Sequence, residues 1–266
     1  YLIVEQPPSK QLTDSLKLKK TKEDRMPMNR LAICPLSATQ ELIDSVKTYR
    51  IAEKADFMAY QKGRKDSTLY VRSLDGKRTF RFPAVRAFGF APKSSRLYYV
   101  SAGDSASIAA GLYVLDPEKD APALVKAGTG AFRQTAFSEQ GDRLAFLYCA
   151  EKDSVYKSLE LWLSENDSEA RKIAGRADKA FPAGWVISEY APVTFSENGS
   201  RLFFGTAPEP RQPDTTLLAE YRPDVQVWSW DEPVQYTVQA YEKKNEMKRS
   251  YQAVYNLGSK QTVQLA

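Results

Sequence analysis

Apolar residues alternate with polar ones in short runs of four to seven along most of the chain, and the runs are separated by Gly, Asn, Asp, Ser and Pro. That is the pattern of half-buried strands joined by tight turns. One unit recurs with fixed spacing. Phe137-Ser-Glu-Gln-Gly-Asp-Arg-Leu144-Ala-Phe146 matches Phe195-Ser-Glu-Asn-Gly-Ser-Arg-Leu202-Phe-Phe204, and Phe90-Ala-Pro-Lys-Ser-Ser-Arg-Leu97-Tyr-Tyr99 is a looser copy. A fainter copy is Ile51, Met58 and Tyr60. In each, seven residues separate the first anchor from the second, and nine separate it from the third. The spacing predicts a hairpin. A strand ends on the Phe, a turn follows in which Gly141 or Gly199 is free to take positive φ, and the next strand starts near the Leu. That second strand is apolar on both faces, which suits a sheet packed between two neighbours.

A second unit follows each hairpin. It is a strand, a turn and a strand, as in Leu69-Tyr-Val-Arg-Ser-Leu-Asp-Gly-Lys-Arg-Thr-Phe-Arg-Phe82. Copies open at Leu112 and close on Ala123-Leu-Val125, and open at Leu161 and close on Arg171-Lys-Ile173. The same unit stands near both ends, at Leu31 with Glu41-Leu-Ile43 and at Ala253 with Thr262-Val-Gln-Leu265. Hairpin plus hairpin makes a four-stranded antiparallel blade. Anchors at 51, 90, 137 and 195 place the repeats near the roughly 40–45 residues of a propeller blade, apart from a stretched last one. The expected fold class is therefore all-β, a β-propeller segment with half a blade at 27–46 and full blades at 48–85, 86–128, 131–175 and 190–266. Almost no helix is expected between 48 and 200.

Two regions break the rhythm. Residues 1–26 are polar, with a basic run from Lys17 to Arg25, and read as a solvated lead-in. In the last blade, Pro208, Pro210, Pro213 and Pro223 remove amide donors and fix φ. An excursion is expected at 205–250, with an irregular loop at 205–224, a strand at 225–230 and the blade resuming near Tyr251. Tyr221, Arg222 and Trp228 are its candidate contact residues, placed to overhang a partner or a substrate entrance. The structural anchors are Phe90, Phe137, Gly141, Phe195 and Gly199.

Composition narrows the chemistry. The chain has no histidine among its 266 residues. A Ser-His-Asp or Cys-His mechanism needs an imidazole to take the nucleophile's proton, so neither can be completed inside this chain. No catalytic, cofactor-binding or metal-ligating residue is expected. Gly128-Thr-Gly130 lacks the third glycine of a nucleotide-binding turn. Asn166-Asp-Ser168 and Asn198-Gly-Ser200 fit a glycosylation sequon but fall where the repeat needs a turn. The 38 Lys and Arg are interleaved with 33 Asp and Glu, so no basic face for nucleic acid is expected. No apolar run approaches the length of a membrane span. Cys34 and Cys149 leave a single disulfide open, although isolated thiols usually pack as small hydrophobes.

The Phe-Ser-x-x-Gly-x-x-Leu-x-Phe pattern resembles the propeller repeat of the prolyl oligopeptidase and dipeptidyl peptidase family, and is similar to the repeats of TolB-type periplasmic propellers. Asp224-Val-Gln-Val-Trp-Ser-Trp-Asp-Glu-Pro233, followed by Lys248-Arg-Ser-Tyr-Gln-Ala-Val-Tyr255, resembles the large prolyl-oligopeptidase-type proteins of Bacteroides-like bacteria. The resemblance covers about 27–266. It implies a propeller that precedes an α/β-hydrolase domain, in a periplasmic or cell-envelope setting, and filters peptide substrate for a serine active site. That site's Gly-x-Ser-x-Gly, Asp and His have no counterpart here. Expected partners are thus a hydrolase domain of the same polypeptide or another propeller copy, with peptide substrate reached through the parent protein. A stand-alone binding propeller is the second reading, and a degenerate peptidase homologue the third. The chain starts at Tyr1 with no signal peptide, and four full blades are fewer than the resembling family uses, so the expectation is a piece of a longer polypeptide.

Overall fold

The computed structural model describes residues 1–35, 39–104, 108–119, 121–151, 158–176, 178–210, 221, 227 and 229–265. The strands are β1 (Leu2–Gln6), β2 (Asn29–Cys34), β3 (Glu41–Ile51), β4 (Phe57–Lys62), β5 (Leu69–Ser73), β6 (Thr79–Phe82), β7 (Val85–Phe90), β8 (Leu97–Ser101), β9 (Gly111–Leu115), β10 (Pro122–Ala127), β11 (Ala131–Phe137), β12 (Arg143–Cys149), β13 (Glu160–Glu165), β14 (Arg171–Ala174), β15 (Trp185–Ile187), β16 (Thr194–Phe195), β17 (Arg201–Pro208), β18 (Tyr251–Asn256) and β19 (Gln261–Gln264). Among these residues there are two α-helices, α1 (Lys10–Leu18) and α2 (Tyr236–Glu246), and both lie outside 48–200. The sheets run in sequence order as antiparallel meanders: β1 to β6, β7 to β10, β11 to β14, and β15-β17-β18-β19 with β16 also paired to β17. Successive four-stranded meanders of this kind are β-propeller blades.

The hairpin repeat sets the register. Ile51 pairs with Met58, Phe90 with Leu97 and Phe195 with Leu202, each pair seven residues apart. The turn chemistry explains why. Ser138 Oγ donates to Asp142 at 2.6 Å and accepts the Arg143 N–H at 3.1 Å, while the Gly141 N–H reaches the Ser138 carbonyl at 3.0 Å. Ser196 repeats this with Asn198, the Arg201 N–H and the Gly199 N–H. Ser73 does so in the outer hairpin, with Asp75, the Arg78 N–H and the Gly76 N–H. The Ser73 hydroxyl and the Lys77 amide hold the Asp75 carboxyl down at about 2. Gly141 has φ 74° and Gly199 φ 66°, a region that costs a β-carbon dearly. A β-carbon on Gly141 would also stand 3.0 Å from that of Ala91.

The first sheet has six strands because β3 serves two blades. Its first half pairs with β2 from Glu41 to Val46, and its second half pairs with β4 from Val46 to Ile51. The switch falls at Ser45, which has φ 58°, and Ala84 (φ 55°) marks the same junction one blade later. The Ser45 carbonyl accepts the Gly63 N–H and the Ala84 carbonyl accepts the Ala102 N–H, both at 2.8 Å. The half blade at 27–46 is therefore the outer part of a partial blade.

Several expectations need correction. Residues 1–26 are more than a lead-in, because β1 pairs with β2 from Leu2 to Gln6 and α1 follows it. The last blade begins at Trp185, upstream of 190, because its inner strand is broken into β15 and β16, both held by β17. The excursion does not start at 205. β17 continues to Pro208, whose missing donor is tolerated at the strand's end opposite Trp185. Phe137 is buried, but Phe195 and Phe90 are only half-buried. Cys34 and Cys149 are free thiols, and Cys149 is buried among apolar neighbours as a small hydrophobe.

Two compact units are distinguished, residues 1–129 with 137–144 and 164–171, and residues 130–136 with 145–163 and 172–266. In the first, one core gathers Leu31, Ile33, Met58 and Tyr60, and another gathers Leu69, Val71, Leu97, Tyr99 and Leu115. Tyr99 stacks between Phe82 and Tyr113, at 4.5 and 5.0 Å between ring centroids. Burial pushes the Tyr99 hydroxyl well above the usual phenol range. Arg72, also in this unit, makes a bidentate pair with Glu41 at 2.5 and 2.8 Å. In the second unit the core is built on Leu147, Leu161, Leu163, Leu202, Phe204 and Tyr255.

Two predictions follow from these contacts. Phe137→Ala should cost about 3 kcal/mol in urea unfolding and Phe195→Ala roughly half that, in line with their burial; equal costs would break the link to burial. The hydrogen bond from Arg72, reinforced by its charge, holds the Glu41 carboxyl below its ordinary value. Its contribution is present above the unfolded pKa near 4.5 and fades as pH falls through the lower folded value. Glu41→Gln should therefore destabilise by about 1 kcal/mol at pH 7, since half of the Glu41 side chain faces water and is screened. The gap to wild type should close in unfolding titrations run to pH 3.

Candidate functional site

The antiparallel order gives every blade two kinds of connection. The turns from first to second strand and from third to fourth are short, and the serine–glycine chemistry above closes three of them. The connections from second to third strand lie at the opposite end of each sheet. They span 63–68, 102–110, 150–159 and 209–250, and in the partial blade 7–28. Both α-helices fall within such connections. A blade end free of register constraints is where a propeller can vary without losing its core, so this end carries the candidate site.

The 209–250 connection is anchored at its two feet. The Glu209 N–H reaches the Gly184 carbonyl at 2.8 Å, and its carboxylate pairs with Arg176 at 2.7 Å. Thr206 pairs with Tyr251, and the Ser188 and Ser250 hydroxyls lie 2.6 Å apart. Between the feet, α2 has no buried residue. Its sequence, Tyr-Thr-Val-Gln-Ala-Tyr-Glu-Lys-Lys-Asn-Glu, forms a helix on local propensity, with Gln235 accepting the first amide bonds and Lys243 and Lys244 in the last turn. It offers no apolar stripe of helical period, which is why the strand-and-turn pattern did not reveal it.

The connection carries a high density of exposed large apolar side chains. Tyr221, Val227, Trp230, Tyr241 and Met247 are 67, 91, 97, 85 and 74% exposed. Of the three contact residues expected from sequence, Tyr221 is thus an exposed side chain, whereas Arg222 and Trp228 lie outside the described residues, as do Pro213, Pro223 and most of the strand expected at 225–230. Tyr241 and Met247 were missed; the signal that could have found them is an apolar residue with no alternating partner beside a proline-rich break. The structural anchors lie elsewhere, at the short-turn ends of the sheets, and belong to register rather than to this surface. Apolar side chains left in water are candidate contact residues, since covering them removes unfavourable hydration.

No protein-family model matches this sequence, and no curated protein matches it. Among solved structures, the chain is similar to the β-propeller domain of the trilobed protease from Pyrococcus furiosus, with 14% identity over 92% of this chain and 66% of that one, and a TM-score of 0.48. It is similar to a prolyl endopeptidase with 13% identity, 68% of this chain, 29% of that one and a TM-score of 0.46. It is similar to TolB from Acinetobacter baumannii with 10% identity, 88% of this chain, 47% of that one and a TM-score of 0.43. The chain spans less than two thirds of each of these proteins. They include peptidase propellers and a TolB protein alike, and the fold assignment rests on the sheets and registers described above.

Because none of α2 is buried, replacing residues 211–247 by a short Gly-Ser linker should change the stability of the blades by less than about 1 kcal/mol. Urea unfolding of the shortened chain checks this. A large loss would show that the connection is part of the core.

Proposed function

We propose that this chain is the non-catalytic propeller portion of a prolyl-oligopeptidase-like serine peptidase, gating or positioning peptide substrate for an α/β-hydrolase domain outside these residues. The observation that carries the proposal is the 209–250 connection. It stands at the variable end of a blade and presents Trp230, Tyr241 and Met247 to water, as an element that covers a partner or an entrance would. The sequence supports the same reading: the repeat resembles that family, and the histidine its chemistry requires is missing from these residues. The blades supply a rigid support, and the connection supplies the adaptable contact. A periplasmic or cell-envelope setting and a dipeptidyl peptidase activity of the parent protein belong to this proposal and follow from the resemblance. A stand-alone scaffold is the competing reading.

The purified chain should not hydrolyse Pro- or Ala-containing dipeptidyl substrates and should not be labelled by a fluorophosphonate probe. General-base assistance alone is typically worth about 10²–10⁴ in rate, and this chain has no imidazole to give it. In the product of the complete gene, Trp230→Ala with Tyr241→Ala should change kcat/KM for peptides by about tenfold while leaving kcat/KM for a small ester within about twofold. A gene product without a hydrolase region, or peptide turnover untouched by the double variant, would leave the scaffold reading in its place.

A further inference from the structure

Basic and acidic residues are interleaved along most of the chain, but not across the blade at 48–85. From 46 to 86 there are eleven Lys and Arg against four Asp and Glu, a surplus of seven. The surplus over the whole chain is five, so outside this stretch acids outnumber bases. The strand register sorts these charges by blade end. Glu53, Asp56 and Asp75 lie in the short turns, between β3 and β4 and between β5 and β6. The opposite end is marked by the pairs Val46 with Lys62 and Leu69 with Phe82. Lys47, Lys62, Arg64, Lys65, Arg81 and Arg86 stand there. The stretch places one acid among them, Asp66, whose carboxylate accepts the Thr68 N–H at 2.8 Å. The carboxylates in the strands of the neighbouring partial blade are engaged: Asp44 by Arg30, Glu41 by Arg72, and Glu5 by Asn29 and Tyr49.

Fixed contacts hold these cations together. The side-chain amide of buried Gln61 donates to the Ser67 carbonyl at 3.1 Å and to the Val85 carbonyl at 2.8 Å. The Val85 N–H reaches the Ser67 carbonyl at 2.8 Å. The 63–68 connection, with Arg64 and Lys65, is thereby tied to the start of β7, with Arg86. Lys47 and Arg86 occupy one place in successive inner strands, four residues before the anchors Ile51 and Phe90, and each is the extra residue of a bulge. Those two strands, β3 and β7, lie in contact. Lys62 and Arg81 gather on one ring, with the Lys62 Nζ and the Arg81 guanidinium each 5.6 Å from the Tyr70 centroid. Tyr70 in turn stacks on Tyr60 at 5.3 Å. Among the described residues, none of the six cations forms an ion pair. Like charges held close raise one another's energy, and an anion placed among them relieves it.

We infer that the 63–68 end of this blade is a recognition surface for peptide segments rich in Asp and Glu. Arg64, Arg81 and Arg86 offer forked donors to carboxylates, and Lys47, Lys62 and Lys65 offer compact charges beside them. A peptide fits this chemistry better than a nucleic acid does. Single-stranded nucleic acid takes much of its affinity from bases stacked on open aromatic rings. Here Tyr60 is 6% exposed, and Tyr70 is covered by Tyr60, Lys62 and Arg81. The surface therefore presents charge without a stacking platform. The inference rests on the reading that peptide is what this propeller receives, and it needs no hydrolase region.

The test uses the purified chain and fluorescence anisotropy of labelled, end-blocked peptides. A peptide of alternating Asp and Gly should bind about tenfold more tightly than one of alternating Ser and Gly at low salt, and the difference should shrink at high salt. Lys65→Glu with Arg86→Glu should remove about tenfold of that affinity, with the thermal midpoint unchanged because both side chains are exposed. Lys65→Gln with Arg86→Gln, a milder pair, should remove about threefold. Lys77→Glu with Lys119→Glu makes the same change of net charge at the short-turn ends, and should leave affinity within about twofold. Equal losses in the two Glu pairs would overturn the inference, since net charge alone would then be at work. So would equal binding of the acidic and Ser-Gly peptides, or tighter binding of an oligothymidylate of matched charge. A complete gene without a hydrolase region would end the peptidase reading and leave these affinities as they are.

Discussion

A serine hydroxyl that accepts the backbone N–H five residues ahead, with a glycine at positive φ between them, closes a turn of one length only. In this molecule that turn recurs at Ser73, Ser138 and Ser196. A strand has a side-chain period of two, so a turn longer or shorter by one residue would swap the faces of the following strand. Here the following strands are β12 and β17, with Leu144, Phe146, Leu202 and Phe204 in the core. The turn thus decides whether the aromatic residues meet their neighbours or water. The looser copy at Ala91 keeps the closure through its backbone, with the Ala91 N–H reaching the Arg96 carbonyl at 2.8 Å and Ser94 Oγ accepting the Arg96 N–H.

Fixing register at one end of each sheet frees the other. Among the described residues, the connections between second and third strands carry no such closure, and they range from the six residues 63–68 to the long 209–250. Lengthening a connection costs loop entropy that grows only slowly with length, so an insertion there is tolerated as long as its feet are held. The feet of 209–250 are held by Glu209 with Arg176 and by Ser188 with Ser250. The exposed Trp230 and Tyr241 follow from this division: a surface attached to the blade, but not required by it, can keep apolar side chains for contact with something else.

Ion pairs act within this frame as fasteners rather than foundations. Arg72 with Glu41, and Arg96 with Asp167, join residues far apart in sequence inside one compact unit. Their guanidinium groups are mostly buried, while the carboxylates keep contact with water. That arrangement limits the desolvation penalty and still directs the geometry.

Spacing alone determined the inner hairpins, the outer strand–turn–strand units and the junction near residue 46, because tight turns and period-two strands are local and recur at fixed spacing along the chain. Asn166 and Asp167, at φ 51° and 61°, likewise form a tight turn that their residue types announce. What local pattern could not carry was decided by tertiary pairing. Tyr1-Leu-Ile-Val4 is too short a run to declare itself a strand until β2 lies beside it. Whether Phe137 or Phe195 is the more deeply buried depends on what packs across the sheet, not on the identical Phe-Ser-Glu that surrounds them. The helix α2 lacks an apolar stripe because nothing among the described residues covers it, so its existence rests on propensity and its surface on the absence of burial. The sequence therefore determines register, through turns of fixed length, while burial depends on neighbours that only the folded chain brings together.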